Sequence, residues 1–214
     1  MTVETICLGD METNAYVVSV EGDSRCWVFD CPAEPGPLLE VLTEYGIRPM
    51  GLFLTHAHVD HIAGLNVFRR NYPDVSVFQH RLEETWLADP QANLSAWMGR
   101  PVAVSPAEGF VEDDQKLTLG SLSVRVLHLP GHSPGSVAYY FSSENEVISG
   151  DLLFRSGVGR WDFPGCDQKD LRRSLTRLCR LPDETRVRPG HGASTTVGRE
   201  KASNPYLRSE EPWS

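Results

Sequence analysis

Short apolar runs separated by tight polar breaks dominate the chain. Asn14-Ala15-Tyr16-Val17-Val18-Ser19-Val20 and Arg25-Cys26-Trp27-Val28-Phe29-Asp30 are rich in β-branched and aromatic residues and flank Glu21-Gly22-Asp23-Ser24, which predicts a hairpin. Pro35-Gly36-Pro37 then opens a pattern of helical period, Leu38, Leu39, Val41, Leu42 and Tyr45, that Gly46 ends. Met50–Leu54 and Val75–Phe78 read as further strands. Between them Ile62, Leu65, Val67 and Phe68 predict a helix to about Tyr72, with Pro73 as its stop. Residues 80–88 are expected to be helical, and Asp89–Gly109 is Pro-rich and irregular. Leu117–Leu119 and Leu122–Leu129 pair around Gly120-Ser121, and Val137–Phe141 and Glu146–Ser149 around the turn 142–145. Asp167–Arg180 carries Leu171, Leu175 and Leu178 on one helical face, and Thr185–Arg188 is a short final strand. Hairpins interspersed with helices predict a mixed α/β layered fold rather than a barrel of parallel strands. No repeat or linker interrupts the pattern, so a single domain over residues 1–214 is expected.

Composition narrows the classes. The chain is 40% hydrophobic and 23% charged, an ordinary balance for a soluble globular protein, and its 18 Gly and 15 Pro imply many tight turns. The net charge of −9 argues against nucleic acid as the main partner, because phosphate binding rests on clustered Lys and Arg. No run approaches the ~18 apolar residues of a membrane span, and Met1–Cys7 has no basic segment leading an apolar one. Five cysteines, an odd number without a Cys-x-x-Cys pair, speak against a disulfide framework or thiolate site. Reduced thiols and a cytoplasmic location are expected, with Cys7, Cys26 and Cys31 packed in or beside strands.

Residues 55–61, Thr-His-Ala-His-Val-Asp-His, change the picture most. Three imidazoles and a carboxylate follow directly on a buried strand, which is unlike either a solvated loop or a core segment. A rigid strand end carrying that ligand density suits a metal site. Three later loops share the design. Pro130-Gly131-His132, Ser149-Gly150-Asp151 and Pro189-Gly190-His191 each follow a strand and place a Gly before a ligand-competent side chain. Singly, each is an ordinary turn; with the heptapeptide they supply five His and two Asp, enough for two first-row divalent ions. His80 and His128 fall outside the pattern and are read as structural or surface residues, and Ser133 and Ser149 as turn formers.

The order His-x-His-x-Asp-His, His132, Asp151, His191 resembles the metallo-β-lactamase superfamily, and within it the short glyoxalase II-like hydrolases. Asn14–Val18, Gly131–Ser136, Ser149–Phe154, Gly157–Pro164 and Asn204–Leu207 carry the same resemblance. It implies a four-layer αββα sandwich of two mixed sheets, with the site at one edge. It further implies that His56, His58 and His132 hold one metal and Asp60, His61 and His191 a second, bridged by Asp151. The implied cofactors are two divalent ions, zinc foremost, with iron and manganese also compatible with these ligands.

The implied reaction is hydrolysis of an activated acyl bond by a metal-bridging hydroxide, with a thioester such as S-lactoylglutathione as the expected small-molecule substrate. Asp60 is the catalytic candidate, anchoring the second ion and orienting the nucleophile. Arg160 is the candidate for binding a substrate carboxylate, with an Arg160–Asp162 pair as the alternative reading. Trp161 and Phe163 are expected to pack more than to bind. The long glyoxalase II enzymes carry a C-terminal helical domain that holds glutathione, whereas only about 23 residues follow His191 here, so another thiol carrier is an open alternative. The Gly159–Phe163 segment is also similar to persulfide dioxygenases of the superfamily, which use a single iron. A nuclease of the same fold and a metal-binding protein without turnover are the more distant alternatives.

Overall fold

The structure, a computed structural model, describes residues 1–208. The last six residues of the expected single domain, 209–214, lie outside the described residues.

In chain order the first half contains β1 (Thr2–Leu8), β2 (Thr13–Ser19), β3 (Arg25–Phe29), α1 (Gly36–Glu44), β4 (Arg48–Phe53), α2 (Val59–Ile62), α3 (Leu65–Asn71), β5 (Val77–His80) and β6 (Gly109–Val111). The second half contains β7 (Lys116–Leu119), β8 (Leu122–His128), β9 (Val137–Phe141), β10 (Glu146–Gly150), β11 (Leu153–Phe154), β12 (Gly157–Val158), α4 (Gln168–Leu178), β13 (Arg186–Pro189), β14 (Thr195–Thr196), α5 (Val197–Ser203) and α6 (Pro205–Arg208). Strands β1 to β6 form one six-stranded sheet in sequence order, and a second six-stranded sheet runs β14-β13-β10-β9-β8-β7. Both are mixed: β3, β4, β5 and β6 are parallel neighbours, as are β10 and β13, and the other pairs are antiparallel.

The four layers follow from strands that are apolar on both faces. On β2, Tyr16 and Val18 point into the space between the sheets while Ala15 and Val17 point outward, as the period of two requires. On β9, Val137, Tyr139 and Phe141 face the middle and Ala138 and Tyr140 the outside. Three apolar clusters result. One lies between the sheets around Phe29, Phe53 and Tyr139; one joins the first sheet to Leu38, Leu42, Leu65 and Phe68 of α1 and α3; one joins the second sheet to Leu171, Leu175 and Leu178 of α4. Each buried Leu or Phe contributes on the order of 1.5–3 kcal/mol. The αββα sandwich expected from the resemblance is the architecture observed.

Both expected hairpins of the second sheet form, with Leu119 opposite Leu122 across Gly120 and Phe141 opposite Glu146. Other expectations need correction. The helix expected over 62–72 is two short helices. Gly64 breaks it because the backbone there packs so closely on the end of β3 that a Cβ would sit 2.1 Å from the Pro32 carbonyl oxygen. Residues 80–88 form two 3-10 turns, Arg81–Glu83 and Trp86–Ala88, and not a helix, since Glu83 turns its side chain inward. β13 is not the final strand, because β14 pairs back onto it. Cys26 and Cys31 are buried as expected, but Cys7, on an edge strand, is exposed. His80 and His128 close β5 and β8 and stack face to face, ring centres 4.0 Å apart, outside the ligand groups.

One geometric consequence positions everything else. β3 and β4 run in the same direction, and so do β8, β10 and β13, which are linked through antiparallel β9 or parallel pairing. The loops leaving these strands, which carry the residues singled out above, gather at the carboxyl ends of the strands, where open α/β sheets place their ligands.

Candidate metal centre

The structure brings all seven predicted ligands together in two groups. His56, His58 and His132 offer ring nitrogens that lie within 4.8 Å of one another, and Asp60, His61, Asp151 and His191 do the same. Asp151 joins the groups: Oδ1 is 3.4 Å from His61 Nε2, and Oδ2 is 3.6 Å from His132 Nε2 and 3.5 Å from His191 Nε2. His56 comes from the loop after β4, His132 from the loop after β8, and Asp151 and His191 directly follow β10 and the β13 turn. Asp60 and His61 sit on α2, whose single turn folds the heptapeptide back over itself.

The glycines before the ligands do what close approach demands. A Cβ on Gly190 would lie 2.0 Å from Asp151 Oδ1, and one on Gly159 would lie 1.8 Å from the Asp151 carbonyl oxygen. A side chain at position 190 would displace the Asp151 carboxylate, and one at position 159 would displace the Asp151 backbone.

The outer nitrogens of four imidazoles have partners that assign their tautomers. His61 Nδ1 donates to Asp30 Oδ2 at 2.8 Å. His132 Nδ1 donates to the Arg160 carbonyl at 2.9 Å, and His191 Nδ1 to the Met11 carbonyl at 3.0 Å. Thr55 Oγ1 gives its proton to Asp30 Oδ2 at 2.8 Å, so it accepts from His56 Nδ1 at 3.1 Å. In His56 and His132 Nε2 is thereby left with its lone pair facing the centre, while His61 and His191 turn Nε2 toward the Asp60 and Asp151 carboxylates, His191 Nε2 lying 3.1 Å from Asp60 Oδ2. His56 Nε2, His61 Nε2 and Asp151 Oδ1 are buried and have no hydrogen-bond partner, and His58 Nε2 is likewise unpartnered. His58 Nδ1 stands 3.0 Å from His132 Nε2. Bare acceptors converging at such separations repel unless a cation or proton lies between them. The residues present therefore fit divalent metal ions.

The electrostatics agree. Burial, aided by neighbouring imidazoles, holds His56 well below the usual histidine range and His58 at about 3, and burial also lowers His132. These rings are neutral, as ligands must be. In the second group burial pushes His61 and His191 down, but carboxylates outweigh it. Asp60 and Asp30 foremost raise His61, while Asp151 and Asp60 raise His191 to about 10. Burial lifts Asp60 and Asp151, but the same imidazoles pull both far below the ordinary carboxylate range. The second group is built to hold positive charge.

Two residues that sequence reasoning missed support this floor. Asp30, buried at the end of β3 with a φ of 60°, accepts Thr55 N at 2.7 Å besides Thr55 Oγ1 and His61 Nδ1. Glu83, fully buried, accepts Ala57 N at 2.7 Å through Oε2, and Gly135 N at 2.8 Å and Ser133 Oγ at 2.5 Å through Oε1. It thus ties the heptapeptide to the His132 loop. Burial raises its carboxyl to about 7 against the pull of these three donors. Thr13 Oγ1 donates to Asp60 Oδ2 at 3.1 Å. Asn14 Nδ2 and Tyr16 Oη both donate to the Pro189 carbonyl, fixing the His191 turn to β2. An acidic residue closing an apolar strand was the available signal for Asp30; Glu83, within Arg81-Leu82-Glu83-Glu84, has the look of a surface stretch.

His58, Asp60, His132, Asp151 and His191 line the floor of a cleft of about 530 Å³ whose walls include Met11, Leu94, Trp97, Phe154 and Phe163. Arg160 stands at its edge, 64% exposed, with Nε and Nη2 donating to the Asp162 carboxylate at 2.9 and 2.8 Å and its guanidinium 4.1 Å above the Phe163 ring. The Arg160–Asp162 pair therefore exists, and the residue's backbone carbonyl also orients His132. Trp161 packs edge-on against Tyr206 and partly against the α4 cluster, as expected. Phe163 faces the cleft beside His58.

Comparison with known proteins gives consistent results. A family model described as the metallo-beta-lactamase superfamily matches residues 8–191. A probable metallo-hydrolase, YqgX of Bacillus subtilis, is 40% identical over 94% of both chains. The hydroxyacylglutathione hydrolase GloC of Haemophilus influenzae is 29% identical over 98% of this chain and 100% of its own. Among solved structures, the B3 metallo-beta-lactamase BLEG-1 superposes with a TM-score of 0.92 at 37% identity, covering 97% of this chain and 100% of that one. TTHA1623 in a di-iron-bound form does so with 0.84 at 39%, covering 95% and 100%.

Proposed function

The chain belongs to the metallo-β-lactamase superfamily, and from that premise we propose that it is a metal-dependent hydrolase of activated acyl bonds, with thioesters such as S-lactoylglutathione as its substrates. The observation that carries the reading is the meeting of two complete ligand groups around Asp151 on the floor of an open cleft. His56, His58 and His132 would hold one ion, Asp60, His61 and His191 the other, and Asp151 both. Zinc is the proposed metal, and the di-iron form of a relative makes iron the second choice. Bound divalent ions supply a water acidic enough to ionise near neutral pH and a Lewis acid for a carbonyl oxygen.

The chain's own residues do the rest. Thr55, Asp30 and the carbonyls of Met11 and Arg160 keep the rings aimed inward, so no reorganisation is needed when charge develops on the substrate. Asp60 completes the second group and also lines the cleft, so its carboxylate faces the reacting atoms. Hydrolysis breaks the C–S bond, forms a C–O bond from water, and releases a carboxylate and a protonated thiol, with no oxidant consumed. GloC, named for hydrolysis of a hydroxyacyl-glutathione, supports the thioester class.

The test is anaerobic cleavage of S-lactoylglutathione by metal-loaded protein, followed by thiol release. Oxygen uptake with sulfite formation from glutathione persulfide, and no anaerobic thiol release, would replace the hydrolase with an iron dioxygenase.

A further inference from the structure

The cleft has a second chamber that the ligand groups do not account for. Beside Asp60 lies a recess of about 190 Å³ that shares Met11, Val59, Asp60 and Met98 with the cleft. Leu8, Ala33, Ala63 and Val102 form its further walls. Its charged border is neutralised in part, since Arg100 Nη1 donates to Asp10 Oδ2 at 3.2 Å, and both of those side chains are more than 80% exposed.

Around the junction of the two volumes, beside the shared Asp60, large apolar side chains stand uncovered. Met11 is 44% exposed, Met98 51% and Trp97 69%. Three large apolar side chains side by side at a cleft mouth expose surface that a monomeric protein ordinarily hides, and such a patch marks a place where something apolar binds. Methionine suits that task because its unbranched thioether adapts to the shape of an alkyl chain. The opposite wall differs: Phe154, Val158, Phe163 and Arg160 border the larger, open part, and Arg160 is the one guanidinium or ammonium among the described residues lining the cleft.

Resting on the thioesterase reading, we infer that the recess takes the acyl arm of the substrate, and that this arm is an unbranched apolar chain several carbons long. The acyl group is the small end of a thioester, and the recess is the small chamber. The thiol carrier is the large polar end and lies in the open part beside Arg160. Leu8, Met11, Ala33, Met98 and Val102 offer such a chain apolar walls, with Thr13, Glu34 and Ser95 among the polar residues lining the rest of the recess.

The experiment has two arms on the zinc-loaded protein. In the first, kcat/KM is measured for lactoyl, butanoyl and hexanoyl thioesters of glutathione. The expected result is a rise of about fourfold per added methylene, the factor for burying one CH₂, and a hexanoyl-to-lactoyl ratio about tenfold smaller in Met98→Ser. A flat series, or a Met98→Ser variant with an unchanged ratio, overturns the inference. In the second, calorimetry compares binding of hexanoate, butanoate and lactate, which needs no turnover. Hexanoate is expected to bind at least ~10-fold tighter than lactate, and equal affinities overturn the recess assignment even if thioesters are cleaved. Hexanoate preference without any thioester cleavage keeps the apolar recess and overturns the thioesterase reading instead.

Discussion

At and beneath the floor of the cleft, His56, His61, His132 and His191 each hand an outer nitrogen to a fixed partner and present the other to the centre. A few ångströms away at the mouth, Trp97, Met98 and Met11 stand exposed, and Arg160 is held only by a surface carboxylate and an aromatic face. The floor is locked by the Asp30 carboxylate, the Thr55 hydroxyl and the backbone carbonyls of Met11 and Arg160; the mouth is made of loop side chains with few constraints. The difference separates chemistry from choice. Ligand geometry tolerates little error and is over-determined, whereas a substrate surface can change residue by residue without disturbing the fold.

If that division holds, substitutions should fall in a graded series. The largest effect is expected at Asp151, whose carboxylate faces both groups: Asp151→Ala should cost more than ~100-fold in thioester hydrolysis, beyond the 10–100-fold range of outer partners. Steady-state kinetics checks this, and a loss under tenfold would detach the floor from the chemistry. Asp30→Ala removes the acceptor shared by Thr55 and His61 and should cost ~10–100-fold in metal affinity, read by competition with a chelator. Glu83→Gln keeps the shape but turns an amide NH₂ toward one of three donors. It should lower stability by ~1–3 kcal/mol in denaturant unfolding while leaving metal stoichiometry intact. At the mouth, Arg160→Ala removes an exposed pair worth ~0–1 kcal/mol, so its Tm should not move measurably and its effect should appear in KM. A large fall in kcat with Arg160→Ala would blur the comparison by making the mouth part of the catalytic floor.

The same division explains what could be read from the sequence. The seven candidate ligands were legible because each follows an apolar strand and sits beside a Gly or another such residue, a pattern a bland loop does not produce. The sandwich was legible in strands such as β9, apolar at every position, and β2, apolar from Ala15 to Val18, which can serve two faces. β1 was not, because as an edge strand it buries only Ile6 and Leu8 and otherwise presents polar residues. Glu83 was not, because its importance comes from donors 26 and 52 residues away at Ala57 and Gly135, and nothing local marks it. The broken helix at Gly64 depended on a tertiary contact with Pro32. The Arg160 loop could be located, but the pairing of its cation with Asp162 became visible only in the structure.

The central claim is that the floor holds two ions in two groups that share Asp151. Stepwise titration of zinc into chelator-stripped protein, with bound metal determined by elemental analysis and thioester hydrolysis followed in parallel, tests it most directly. The account predicts two equivalents bound per chain and full activity only at the second, with Asp60→Ala retaining one equivalent and little activity. One equivalent at saturation in the unaltered protein, or full activity reached at the first, would contradict it.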